Sequence, residues 1–314
     1  MIARVADMCF WFGRYVERAE STARMLAATA SVALDAELPP EQIWRPVIVV
    51  SGEEEEFSKR AADWGDGELV QRFMTWERDN GASLVSSIEG ARWNARSIRE
   101  VLSLEAWEAV NELHLWLAGA ANQYRDHREA FYQQIRRTTQ LALGLLRSTM
   151  LHDEPLDFIW LGVLLERVSQ TARMLDVHHH AFAALEVNEI VETGVWLTLL
   201  RGLSGSEAYV RKTNGRISAH GVAEFLLSET AFPRSIAYCV HSAHDRLLHI
   251  RPASAHELPG GQSLERLKLL DDWVAARRTS EPLSGATVHE VLTHVVDETH
   301  AICALLGTEL FGGL

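Results

Sequence analysis

The fourteen residues GRYVERAESTARML at 13–26 return, little altered, as GVLLERVSQTARML at 162–175. At an offset of 149, Trp11, Gly13, Glu17, Arg18, Thr22, Ala23, Arg24, Met25 and Leu26 match Trp160, Gly162, Glu166, Arg167, Thr171, Ala172, Arg173, Met174 and Leu175. Those nine identities fall within sixteen positions, where chance gives about one. At an offset of 152, Trp44 falls on Trp196, Phe57 on Tyr209, Phe73 on Phe225, Glu77 on Glu229 and Ser83 on Ser235. Matches that keep their order over this distance indicate a tandem duplication, with halves of 1–150 and 151–314 packed as one domain.

Both copies lie in helix-forming sequence. Residues 3–35 contain no proline and stop before Pro39-Pro40. Ser83 is placed to cap a helix through Leu102, and Ser103 to cap the next. Phe131, Ile135, Leu141, Leu145 and Leu146 mark a long helix over 122–150. Asp157 is a candidate cap for the second copy, which runs to Leu185. Further helices are expected near 187–202, 220–229, 233–250, 262–279 and 285–307, the fourth of these after a linker at PGGQS, 259–263. The one plausible strand is RPVIVV at 45–50. The expected class is therefore all-α, a helical bundle of two tandem repeats with pseudo-twofold symmetry.

At about 100° per residue, Arg24 lies about 20° from Glu17 on a helical wheel, with Gly13 and Arg14 on the same side. Arg18 points about 100° away, toward some other partner. In the second copy Val163, Leu164, Leu165, Val168, Met174 and Leu175 nearly surround the helix, and a helix that is apolar all round is buried. Glu166 then needs a counter-charge, and Arg173 on the same stripe is the natural candidate. Gly162 removes a side chain where a helix or a ligand must come close. Two readings remain open on spacing alone: Glu17–Arg24 and Glu166–Arg173 as structural ion pairs, or as the lining of a polar cleft.

Other groups narrow the function. A formal net charge of −13 argues against a general nucleic-acid binder. The acidic run GEEEEF at 52–57 reads as a solvated turn or helix start. Apolar runs are too short for a membrane span. The opening residues carry no signal-peptide cleavage pattern, and three scattered cysteines, Cys9, Cys239 and Cys303, read as reduced core thiols. A cytoplasmic protein is expected. Arg92, Arg96 and Arg99 share one helical face and could gather an anion, or pair with Glu89 and Glu100. His178, His179 and His180 are adjacent and splay apart. His241, His244, Asp245 and His249, like Glu290, His294 and Glu298, have helical spacing, but no HExxH or paired Glu-x-x-His signature accompanies them, so no metal site is assigned. Nucleotide-binding loops and a nucleophile elbow are missing too.

RYVERAESTARML together with LGLLRSTMLHDEPLDFIWLGVLLERVSQTARMLDV at 143–177 resembles the bacterial Alpha-E (DUF403) proteins, helical domains with a Glu-Arg motif. SIEGARWNARSIRE at 87–100 and PRSI at 233–236 fit the same pattern, so the resemblance spans the chain. It implies a place beside circularly permuted ATP-grasp ligases and transglutaminase-like peptidases in peptide synthesis or modification. Peptide or amino-acid substrates are implied with it, and ATP only through the partner ligase, with no cofactor of the domain's own. The motif carries over to Glu17, Arg18, Glu166 and Arg167, with Arg24 and Arg173 downstream. Val163 stands where the family's second phrase has arginine, which leaves Arg14 without a counterpart, and HHH at 178–180 departs from the usual mixed sequence. The leading expectation is an accessory, substrate-presenting subunit. The alternative is an enzyme condensing aminoacyl or peptidyl groups, with Glu17 or Glu166 as general base.

Overall fold

Helix α1 (Ala3–Asp35) crosses helix α9 (Glu154–Ala183) at a point where neither carries a side chain. A Cβ on Gly13 would lie 2.0 Å from the Ile159 carbonyl oxygen, and one on Gly162 would lie 2.1 Å from that of Phe10. Each glycine thus packs on the other helix's backbone one turn before its partner glycine. Phe10, Phe12, Ile159 and Val163 around the crossing are fully buried.

The computed structural model describes residues 1–35, 38–61, 63–183, 189–252, 254, 258–277 and 285–312. Around the central pair lie α2 (Pro40–Ser51), α3 (Glu54–Ser58), α4 (Gly67–Trp76), α5 (Leu84–Ser97), α6 (Leu104–Gly119), α7 (Ala121–Asp126) and α8 (Arg128–Thr149). After α9 come α10 (Glu189–Gly202), α11 (Ser206–Thr213), α12 (Ala219–Ser228), α13 (Ile236–Ile250), α14 (Gly261–Arg277) and α15 (Gly285–Glu309). Helices α5 and α8 pack on α1, while α13 and α15 pack on α9. Side chains from both halves merge in a single apolar core. The fold is all-helical, with no strand among the described residues.

Serine caps fix several starts. Ser83, Ser103, Ser218 and Ser235 each accept a backbone N–H from the first turn of the helix they precede. Asp66 caps α4 in the same way.

Several sequence expectations need correction. Residues 45–50 are helical, not a strand: Ile43, Trp44, Val47, Ile48 and Val50 also satisfy a helical period, and all are buried within α2. Burial on one helical face overrides the β-branched composition. Helix α5 stops at Ser97 instead of reaching Leu102, so Arg99 lies beyond it. The segment expected as one helix over 122–150 breaks at His127, where the chain turns and Tyr124 meets Phe131 edge-on at 5.3 Å. Asp157 does not cap α9, which begins at Glu154; its carboxylate accepts from Arg246 of α13 at 2.8 Å. The expected helix end at Leu185 lies outside the described residues, as do positions 187–188 and 278–279 of two later helices.

The crossing makes a prediction that separates packing from helix propensity. Gly13→Ala should force α1 and α9 apart and destabilise by about 3 kcal/mol. Gly144→Ala, in the exposed interior of α8 with nothing within 4 Å of the added methyl, should instead stabilise by about 0.5–1 kcal/mol. Urea unfolding of the two variants checks both signs.

A buried glutamate–arginine cluster as candidate functional site

One helical turn beyond each glycine stands a glutamate, Glu17 on α1 and Glu166 on α9. Because the backbones approach so closely, each carboxylate is reached by arginine from the opposite helix. Arg18 donates Nε to Glu166 Oε1 at 2.7 Å and Nη2 to Oε2 at 3.0 Å. Arg14 donates Nε to Oε2 at 2.7 Å. On the other side, Arg167 Nη2 lies 2.9 Å from Glu17 Oε2 as an ion pair without the alignment of a hydrogen bond. Arg234, in the turn before α13, donates Nη1 to Glu17 Oε1 at 2.6 Å. Its Nη2 reaches Glu20 Oε2 at 2.7 Å. Arg24 and Gln140 both donate to Glu20 Oε1, the latter at 3.1 Å.

Glu17 and Glu20 are 0% exposed and Glu166 is 2% exposed. Carboxylates so far from water survive charged only if fully compensated. Burial pushes Glu166 up, but Arg18 and Arg14 outweigh it and hold the carboxyl well below its ordinary range. Burial likewise pushes Glu20 up, and Arg234 and Arg24 bring it down to about 2. The arginines respond in kind: burial lowers the proton affinity of Arg14, but Glu166 more than restores it. Around Arg234, burial is outweighed by Glu17 and Glu20.

The pairing differs from the one read along each helix. Arg24 does not bind Glu17, and Arg173 does not bind Glu166. Residues seven apart on a helix are about 10 Å apart along its axis, beyond ion-pair reach, whereas the opposite helix is close at hand. Arg24 takes Glu20 one turn back, and Arg173 Nη2 lies 3.1 Å from His300 Nε2. Arg18, expected to serve some other partner, serves Glu166. Arg14 shares that carboxylate with Arg18 and does not act alone. Val163 offers Glu17 nothing comparable, and Arg234 fills that place from outside the repeated phrase.

Glu20, Gln140 and Arg234 were not among the expected residues. Glu20 is on the polar stripe of the wheel, but Ser169 replaces it in the second copy. Arg234 sits within PRSI, beside the capping Ser235, and a buried-charge count would have called for another cation. Arg92, Arg96 and Arg99 stand apart from the cluster. Arg92 donates to Asn111 Oδ1 at 2.9 Å, Arg99 stacks over Trp107 at 5.0 Å, and Arg96 is exposed. Glu89 pairs with Arg78 instead of these arginines.

Among the histidines, His178 is half-buried and bonded to the Met174 carbonyl, and desolvation lowers it to about 4. His180 joins Asp176 and His289, with possible ligand atoms all within 4.8 Å of one another. This contact across to α15 is not legible from the HHH run. His241 turns to Asp271 at 3.0 Å, the His294 ring meets Trp273 at a tilt with centroids 4.3 Å apart, and Glu298 holds Arg266. Cys9 and Cys239 are buried, and burial pushes both thiols up to about 12.

An all-helical domain built on two Glu-Arg dipeptides exchanged across a crossing is thereby defined. The family described as a predicted alpha-helical domain with a conserved ER motif, Alpha-E, matches residues 1–311, and the chain belongs to it. Uncharacterized proteins of Mycobacterium bovis and of Mycobacterium tuberculosis (strain CDC 1551) are each 25% identical over 299 residues, 89% of this chain and 32% of theirs. The chain spans about a third of the length of these relatives. No solved structure matches it significantly. No helix among the described residues is long and apolar enough to cross a membrane.

The depressed carboxyls give the cluster a pH signature. A carboxylate held down in the folded state adds stability that is complete above its ordinary value of 4.5 and is lost as pH falls toward its folded value. Glu166→Gln should cost about 3–5 kcal/mol at neutral pH by stranding Arg14 and Arg18. Its deficit relative to the unaltered chain should narrow as pH drops below 4.5. Denaturant titrations across that range would show a constant deficit if the carboxylate were not the source.

Proposed function

We propose that this chain is an accessory, substrate-presenting unit of a bacterial ATP-grasp peptide (amide) ligase or peptide-modification system. The observation that carries this reading is the closure of the Glu-Arg seam. A general base needs a free oxygen and a proton affinity near the working pH. Glu166 has both oxygens occupied and a carboxyl held far below that range, and Glu17 is 0% exposed between Arg167 and Arg234. These groups hold two helices together instead of moving protons. The catalytic step, and ATP with it, then belongs to a partner ligase, with peptides or amino acids as the material presented. Relatives three times as long suit a domain that works beside others.

The tandem duplication belongs to the same proposal. Gly13 on Ile159 and Gly162 on Phe10 are contacts that exchange under the offset of 149. Glu17–Arg167 and Glu166–Arg18 exchange under it too. The packing of α5 on α1 and of α13 on α9 follows the same order. This supports halves of 1–150 and 151–314 around a pseudo-twofold axis through the crossing.

Co-expression with a neighbouring ATP-grasp ligase is the test. Arg167→Lys and Glu17→Gln, checked for folding, should lower ligase-coupled product formation or co-purification, while the purified chain given ATP, amino acids and acceptor peptides makes no product. Product from the chain alone would overturn the accessory role in favour of an aminoacyl- or peptidyl-transferring enzyme. Unchanged coupling in folded variants would remove the seam from the function.

A further inference from the structure

A cleft of about 850 Å³ opens beside the Arg24 end of the cluster, between α1, α8 and the junction of α10 with α11. Its floor is a run of small side chains on α1, including Ala27, Ala30 and Ser31, and Trp44 forms part of its wall. Four arginines line it, Arg24, Arg128, Arg136 and Arg201, against two glutamates, Glu129 and Glu207. Arg24 is paired with Glu20 and Arg128 with Glu68, which leaves Arg136 and Arg201 as the cleft's cations without an ion pair among the described residues.

Part of the donor capacity here is unspent, although Arg128 already gives both Nη atoms to Glu68 and Arg24 gives Nη2 to Glu20. Arg24 Nε, Arg128 Nε, Arg136 Nε and Ser206 Oγ are cut off from solvent and have no hydrogen-bond partner. Buried donors are nearly always satisfied in native proteins, and Arg24 is only 5% exposed. Burial lowers the proton affinity of Arg136, and the neighbouring charges of Arg24 and Arg234 lower it further, with Glu20 alone opposing them. The start of α11 adds to this polarity. Its cap residue is Gly205, with no side chain to take up the first N–H groups, and Ser204 ahead of it holds a left-handed φ of 56°. An incoming anion would meet guanidinium forks on one side and an uncapped helix start on the other.

We propose that this cleft is a binding site for a small ligand carrying at least two anionic oxygen groups, carboxylate or phosphate, on a short apolar frame. Arg24 and Arg136 take one group at the buried end, and the exposed Arg201 takes another toward solvent. The alanine floor accepts the frame, because small side chains leave room for it. The site concerns binding by the chain alone and stands apart from the ligase reading, so either can fail without the other.

Calorimetric titration of the purified chain with a triglutamate peptide, inorganic tripolyphosphate and, as neutral control, triglutamine tests it. At least one anion should bind, more weakly as salt is raised, with triglutamine weaker by about tenfold or more. Tighter tripolyphosphate identifies a phosphate site, and tighter triglutamate a carboxylate site. Arg136→Gln should weaken the anion by about tenfold, and Arg136→Lys should recover part of the loss. Arg78→Gln, on the surface elsewhere, should change nothing. Should Arg136→Gln not fold, the exposed Arg201→Gln takes its place with the same expectation. Failure of both anions to bind, or binding that these cleft variants leave intact, overturns the proposal.

Discussion

Everything in this domain follows from two helices that touch backbone to backbone. An ordinary helix pair is held about 8–10 Å apart by side chains. At Gly13 and Gly162 that spacer is gone, and a methyl group on either would overlap the opposing carbonyl. The close approach places Glu17 and Glu166 within reach of arginines on the other helix and excludes water from both. Glycine and glutamate are therefore one device: without the first, the second could not be satisfied.

The cost of the device is electrostatic. Three carboxylates out of water would be prohibitive alone, and the chain answers with more arginine than neutrality requires. Arg14, Arg18, Arg24 and Arg167 each contact one of the three acids, and Arg234 contacts two. Arg173 and Arg136 add charge nearby without direct pairing to them. For both, burial comes first and neighbouring guanidiniums second in lowering proton affinity. The locked acids make a rigid seam, and the surplus cations make it attractive to an anion. The first property argues against acid–base chemistry at the glutamates; the second points to binding at the edge of the seam.

Much of the fold was legible because helices advertise their own limits. The span of α1, the caps at Ser83 and Ser103 and the positions of α12 to α15 follow from local sequence. The all-round apolar face of the second phrase correctly predicted that Glu166 is buried. What failed was nonlocal. Residues 45–50 look like a strand until a neighbouring helix decides which face of them is buried. Arg24 and Arg173 look like partners of the glutamates because a helical wheel collapses the axis and hides a separation of about 10 Å. The true partners were on the page as Arg18 and Arg167, but only the crossing shows that they exchange. Arg234 was harder still, since its role depends on a turn 217 residues from Glu17.

The departure at Val163 turns out to shape the molecule. Arg14 supplies a second cation to Glu166 from within the repeated phrase, and Val163 leaves Glu17 without the equivalent. Arg234 replaces it from the turn before α13, and that turn is then fastened from two directions: its carbonyl accepts from Thr171 at 2.9 Å, and Arg167 reaches the Pro233 carbonyl at 3.4 Å. Arg234 also brings in Glu20, which has a serine at the matching place on α9. Glu20 in turn holds Arg24, and Arg24 lines the cleft. On the other helix Arg173 meets His300 instead, and among the described residues no such chain of contacts leads outward from it. With Val163 opposite Arg14 in the matched phrases, the two glutamates are held by different sets of cations, and the cleft lies on the side where Arg234 and Glu20 add charge.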